Sequence, residues 1–191
     1  MANIKITVKK QLFLILSLSI LILSLTWIIL TPYLFSGSET GQVIAAPQKS
    51  FFAPTFTLES PGNTMYSLED YRDQPVLIFF WASWCSICKR TMPELQQVYD
   101  IYQPQGFEIF AVNATTQDNL TDAFNYFKTQ NYTYPMLLDS QGKVISAYQL
   151  RAFPTAVLVR PDGIIEDVVI GAGLNSAYLT AKLEQVLSGE D

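Results

Sequence analysis

Two kinds of hydrophobic run divide this chain. Leu12 to Leu30 is a 19-residue apolar stretch broken only by Ser17, Ser19, Ser24 and Thr26, and no charge falls between Gln11 and Ser38. As a helix it covers about 28 Å, close to the hydrocarbon thickness of a bilayer. Beyond it the apolar runs are short and bounded by turn residues, as in strands buried on both faces. The clearest is Val76-Leu77-Ile78-Phe79-Phe80-Trp81, followed by Phe107 to Val112 and Thr155 to Val159, with Pro161-Asp162-Gly163 turning a hairpin into Ile164 to Ile170. Between them lie helical stripes: Met92, Leu95, Val98 and Tyr102, stopped by Pro104 and Gly106; Leu120, Ala123, Phe124 and Phe127; and Leu179, Leu183, Val186 and Leu187, with Asn175 as N-cap. Such stripes are core faces. The alternation predicts an α/β fold.

Charge gives the long run a direction. Lys5, Lys9 and Lys10 precede it and Glu39 follows, so the positive-inside bias keeps the amino terminus in the cytoplasm. The expected organisation is a cytoplasmic N-terminus (1–10), one N-terminal transmembrane helix (11–31), a polar linker (32–50) with Pro32, Gly37, Gly41 and Pro47, and one folded domain (51–191). A cleaved signal peptide is the alternative, with Ser36 and Ser38 as small residues for processing, but its apolar core is shorter, about 7 to 15 residues. The expected location is the cell membrane, with the folded domain on the periplasmic, luminal or outer face. A flexible linker of this length reaches about 25 Å on average, which keeps that domain near the membrane.

Composition then narrows the chemistry. Beyond the anchor lysines, nine basic residues face 17 acidic ones, a net charge of −8 that offers no footprint for nucleic acid or anionic lipid. Histidine is absent, which removes Ser-His-Asp and Cys-His catalysis, haem attachment through C-x-x-C-H and most zinc and copper sites. No cofactor and no metal is expected. The sequons at Asn113, Asn119 and Asn131 read as chance matches.

The two cysteines, Cys85 and Cys88, follow the strongest strand and open a helix. The first sulfur then sits among unpaired helix N–H groups, which stabilise a thiolate and lower a pKa that is ordinarily about 8.5. Lys89 and Arg90, if close, push the same way. Cys88, about one turn deeper, reaches back to close a disulfide, so Cys85 attacks and Cys88 resolves. Three other readings remain. A structural disulfide is a poor staple because so small a ring removes little unfolded-state entropy. A metal needs more ligands than two sulfurs. A peroxide-reducing thiol lacks the Thr expected before Cys85, and Trp84 is unlike such sites.

Phe80-Trp81-Ala82-Ser83-Trp84-Cys85-Ser86-Ile87-Cys88 resembles the active-site segment of thioredoxin-fold proteins, and the surrounding chain resembles the membrane-anchored TlpA/ResA-type thiol-disulfide oxidoreductases. Ala53 to Leu58 is similar to that family's opening strand, Met92-Pro93-Glu94-Leu95 to its kinked first helix, and Tyr134-Pro135 to Tyr148 to the segment before its final hairpin. Phe153-Pro154-Thr155 sits where the family carries its cis-proline. The resemblance implies a thioredoxin-like fold, a central mixed sheet flanked by helices. It implies Cys85 and Cys88 as catalytic, Trp84, Phe153 and Pro154 as substrate-binding, and Trp81 and Pro93 as supporting residues. Pro93 removes a helical donor and should bend its helix, and Phe153 should offer backbone groups to an extended substrate.

The activity so implied is exchange of a disulfide with protein thiols at the outer membrane surface. Reduction is favoured, for instance of apocytochrome c before haem attachment, with electrons from a membrane thiol-disulfide protein. Oxidation of exported proteins is the alternative direction, and a membrane-tethered binding module without catalysis the alternative class. Two departures stand out. Thr91 occupies the position where many family members carry a Glu, and Glu94 lies about 240° around the helix from Cys88. Phe79 replaces the buried Asp of ordinary thioredoxins, so the acid or base serving Cys88 is not identified by the motif.

Overall fold

The structure is a computed structural model describing residues 15–27 and 48–189. The chain falls into two units, Met1–Gln42 and Val43–Asp191. In the first, residues 15–27 are helical (α1), with Ile15, Leu18 and Trp27 exposed. Among the described residues no helix is long and apolar enough to cross a membrane. The remainder of the anchor expected at 11–31, and residues 32–47 of the expected linker, lie outside the described residues.

The second unit is built on a mixed sheet. Its strands are β1 (Thr57–Glu59), β2 (Met65–Ser67), β3 (Val76–Trp81), β4 (Glu108–Asn113), β5 (Met136–Leu138), β6 (Thr155–Val159) and β7 (Ile165–Ile170), in the spatial order β2-β1-β5-β4-β3-β6-β7. β3, β4 and β5 run parallel and every other pairing is antiparallel. Parallel neighbours need crossovers, and two helices supply them: α2 (Ser86–Tyr102) joins β3 to β4, and α3 (Leu120–Thr129) joins β4 to β5. α4 (Lys143–Ala147) follows β5, and α5 (Ser176–Ser188), which contacts α2, closes the chain. Asn175 caps α5 as expected, its side chain accepting the Tyr178 N–H at 2.9 Å.

β3 is the centre. All six of its residues are buried, which is why the run shows no polar alternation. It pairs with β4 from Val76↔Glu108 to Trp81↔Asn113 and with β6 from Val76↔Val159 to Phe80↔Thr155. Phe79 is fully enclosed there, an apolar ring at the position where the resemblance leads one to expect a buried Asp.

Several boundaries differ from the sequence pattern. β4 and β7 begin one residue later than their apolar runs, at Glu108 and Ile165. The opening segment contributes a strand only at Thr57–Glu59, because Pro54 has no N–H for a ladder and Ala53 instead bonds to Gly163. β2, β5 and α4 are too short for any periodicity to show. Gln48–Ser50, expected in the linker, lie against β7: Ser50 N donates to Ile165 O at 2.8 Å, and Lys49 pairs with Glu166 at 3.1 Å.

Candidate active site

The site forms where the chain leaves β3. Ala82 and Cys85 close a turn, Cys85 N donating to Ala82 O at 3.0 Å, and Cys85 becomes the N-cap of α2. Its Sγ accepts the Cys88 N–H at 3.1 Å, meeting one of the donors a helix start leaves unpaired. The two sulfurs are joined, with S–S 2.11 Å and Cα–Cα 5.3 Å. Cys88 is completely enclosed whereas Cys85 keeps 6% of its surface, so an outside reagent meets Cys85 first.

The expected substrate-binding residues meet at this turn. Trp84 is 61% exposed, and its ring stands edge-on to Phe153 at 5.9 Å between centroids. The Phe153–Pro154 bond is cis. Pro154 O is taken by Gly171 N at 2.8 Å, and Thr155 Oγ1 donates to Ala152 O at 2.8 Å. Neither backbone polar group of Phe153 has a partner among the described residues.

The supporting residues lie behind. Trp81 is buried, its Nε1 3.4 Å from Ala111 O and its ring packed near Tyr126 and Phe127. Pro93 falls inside α2 and lacks the N–H that would bond to Lys89 O. Tyr126 Oη donates to that carbonyl instead, at 3.3 Å. Lys89 places its ammonium 4.6 Å from the centre of the Tyr126 ring. Thr91 is buried, and Glu94 accepts the Ser176 N–H at 2.8 Å, which ties it to the start of α5.

One element of the site was not apparent from the motif. The loop after β4 reaches back to the turn: Asp118 accepts Ser83 N at 2.6 Å and the Ser83 hydroxyl, while Gln117 O accepts Trp84 Nε1 at 2.9 Å. Asn113, fully buried at the end of β4, donates to Asp118 at 2.7 Å. Its amide is therefore enclosed, and its sequon is not an exposed acceptor. The available signal was one polar residue directly after an apolar strand run. Among the described residues no group of side chains could hold a metal ion.

Residues 52–168 match the AhpC/TSA family. The chain belongs to the AhpC/TSA family. The thiol-disulfide oxidoreductase ResA of Geobacillus kaustophilus is 32% identical over 164 residues, 85% of this chain and 90% of that protein. ResA of Bacillus subtilis is 33% identical over 119 residues, 62% and 65% of the two chains. Among solved structures, StoA from Bacillus subtilis superposes with a TM-score of 0.60 at 26% identity, over 68% of this chain and 96% of that one. Within the AhpC/TSA family this chain thus has the thioredoxin-like fold and the activity of a protein thiol-disulfide oxidoreductase of ResA type, with protein thiols and disulfides as substrates.

Proposed function

We propose that this oxidoreductase is tethered to the cell membrane by residues 11–31, faces the extracytoplasmic side, and acts there as a reductase, with apocytochrome c among its substrates. Cys85 of the reduced protein, as thiolate, attacks a substrate disulfide. A Cys85–substrate S–S bond forms and one substrate thiolate leaves. Cys88 then loses its proton and attacks Cys85 Sγ, which restores the Cys85–Cys88 disulfide and releases the second substrate thiolate. Two electrons pass to the substrate. A membrane thiol-disulfide protein returns them.

The observation that carries this reading is the Cys85 sulfur at the α2 N-terminus, less enclosed than Cys88 and directly after Trp84, whose ring meets Phe153 beside the cis Pro154. The unpaired Phe153 N–H and C=O fit an extended chain laid along that loop. Burial favours the reducing direction. Cys85 keeps 6% of its surface and Cys88 none, and burial disfavours a thiolate and with it the reduced form. A strong oxidant needs the reverse, a stabilised reduced form. The tether rests on the uncharged run Leu12–Leu30 behind Lys5, Lys9 and Lys10. The cytochrome c role rests on the ResA-type resemblance.

The test is a Cys88→Ser variant of the full chain expressed in a bacterial membrane. Mixed disulfides on Cys85, including one with an apocytochrome carrying a C-x-x-C-H site, are expected to accumulate on the outer side and to vanish in Cys85→Ser. Capture of nothing, or capture only of cytoplasmic proteins, would refute the reading.

A further inference from the structure

We propose that Asp118 is a positioning residue for the redox pair, a carboxylate clamp that holds the Ser83–Trp84–Cys85 turn over Cys88 and thereby makes the pair more reducing. The proposal rests on the reading of Cys85 and Cys88 as the exchanging couple, but not on its direction or location.

The geometry is bidentate. One carboxylate oxygen takes Ser83 N at 2.6 Å and the other takes the Ser83 hydroxyl, so backbone and side chain of a residue two positions before Cys85 are held together. The carboxylate is fixed from behind by Asn113 Nδ2 at 2.7 Å and by Asn119 N at 2.8 Å. No Lys or Arg pairs with it among the described residues. Next to it, Gln117 O holds the indole of Trp84 at 2.9 Å. The turn between β3 and α2 is therefore fastened to the loop after β4, a segment more than thirty residues further along the chain. Ser83 is itself 93% buried, its exposure being 7%.

The consequence is thermodynamic. When the disulfide is open, nothing covalent keeps the Cys85 sulfur near Cys88, and its approach depends on how firmly the turn is held. A held turn raises the effective concentration of one thiol at the other, which favours ring closure and so lowers the reduction potential. The negative charge acts in the same sense, because a carboxylate bonded to the turn two residues before Cys85 disfavours the Cys85 thiolate and so destabilises the reduced form. Substituting Asp118 removes both effects. Substituting Ser83 loosens the hold and leaves the charge.

The experiment is the equilibrium of the full chain with reduced and oxidised glutathione, measured for wild type, Asp118→Asn and Ser83→Ala, with near-ultraviolet circular dichroism confirming the fold. Asp118→Asn is expected to move the equilibrium about tenfold toward the dithiol, about 30 mV for a two-electron couple. Ser83→Ala is expected to move it about threefold in the same direction. A fold-only role for Asp118 lowers the melting temperature of both redox forms alike and leaves the equilibrium unchanged, and that result overturns the clamp. A shift in Asp118→Asn with none in Ser83→Ala overturns it too, by leaving charge as the sole cause. A wild-type pair that does not equilibrate with glutathione would instead refute Cys85–Cys88 exchange itself.

Discussion

The two ends of the central sheet are built from the same strands and do different work. At the end where β3, β4 and β5 finish and β6 begins, the buried polar residues collect: Ser83, Asn113, Asp139 and Thr155. Each has a partner outside its own strand pairing. Ser83 and Asn113 meet Asp118, Asp139 accepts the Ile145 N–H at 2.8 Å to start α4, and Thr155 Oγ1 braces the cis-proline loop. At the opposite end, where β3 and β4 begin, the polar group is Glu108, half-buried among Tyr71 and Tyr99 and bonded to the Ile109 N–H at 2.9 Å. Desolvation pushes its carboxyl above the usual range, and burial beside it lifts both tyrosines. One end spends its buried polar groups on fastening loops around a disulfide. The other tolerates a polar group inside an aromatic packing layer, at some cost in stability. Substitutions at the first should therefore register in the redox equilibrium, and those at the middle and far end in stability alone.

Phe79 gives the largest contrast. It is fully enclosed in β3, and Phe79→Ala should cost about 3–5 kcal/mol through lost burial and a residual cavity. Urea denaturation checks the loss, while the glutathione equilibrium of the folded fraction should move less than about twofold. A redox shift as large as that of Asp118→Asn would erase the distinction between core and collar.

Tyr126→Phe should have a smaller effect, about 1 kcal/mol, because it strips Lys89 O of the donor that stands in for the missing Pro93 N–H. The same denaturation measurement checks it. No loss would mean that water serves the carbonyl equally well.

Glu108→Gln should do least, and in the opposite sense. A carboxyl whose folded pKa is raised binds its proton more tightly in the folded state, so Glu108 opposes folding above that pKa and relaxes its penalty as the pH falls through it. The glutamine keeps an acceptor for Ile109 N and carries no charge. A gain of a few tenths of a kcal/mol near pH 7 is expected, shrinking toward acid, as seen in melting temperature against pH. A loss at neutral pH would show that the charge itself is needed by Tyr99.

How much of this could be read from the chain follows from the range of each interaction. β3 was legible because six consecutive apolar residues have few other uses, and the Cys85–Cys88 pair because its spacing and position after a strand are local properties. The cis-proline at Phe153–Pro154 rested on family resemblance, since sequence alone favours an ordinary trans bond. The partners that complete the site were not legible. Asp118 and Gln117 meet Ser83 and Trp84 across 35 and 33 residues, Tyr126 meets Lys89 across 37, and in sequence they resemble any polar loop and any helix stripe. Nor was the place of the Lys89 ammonium, which lies over Tyr126, a residue 37 positions further along the chain.

The proposed reducing direction follows from burial of both sulfurs, which disfavours the thiolate and with it the reduced form. Its most direct test is the midpoint potential of the wild-type couple at pH 7, from equilibration with dithiol and glutathione buffers of known poise. A value near or below the thioredoxin level of about −270 mV is expected, and a value near the roughly −120 mV of a strong disulfide donor would overturn the reducing direction.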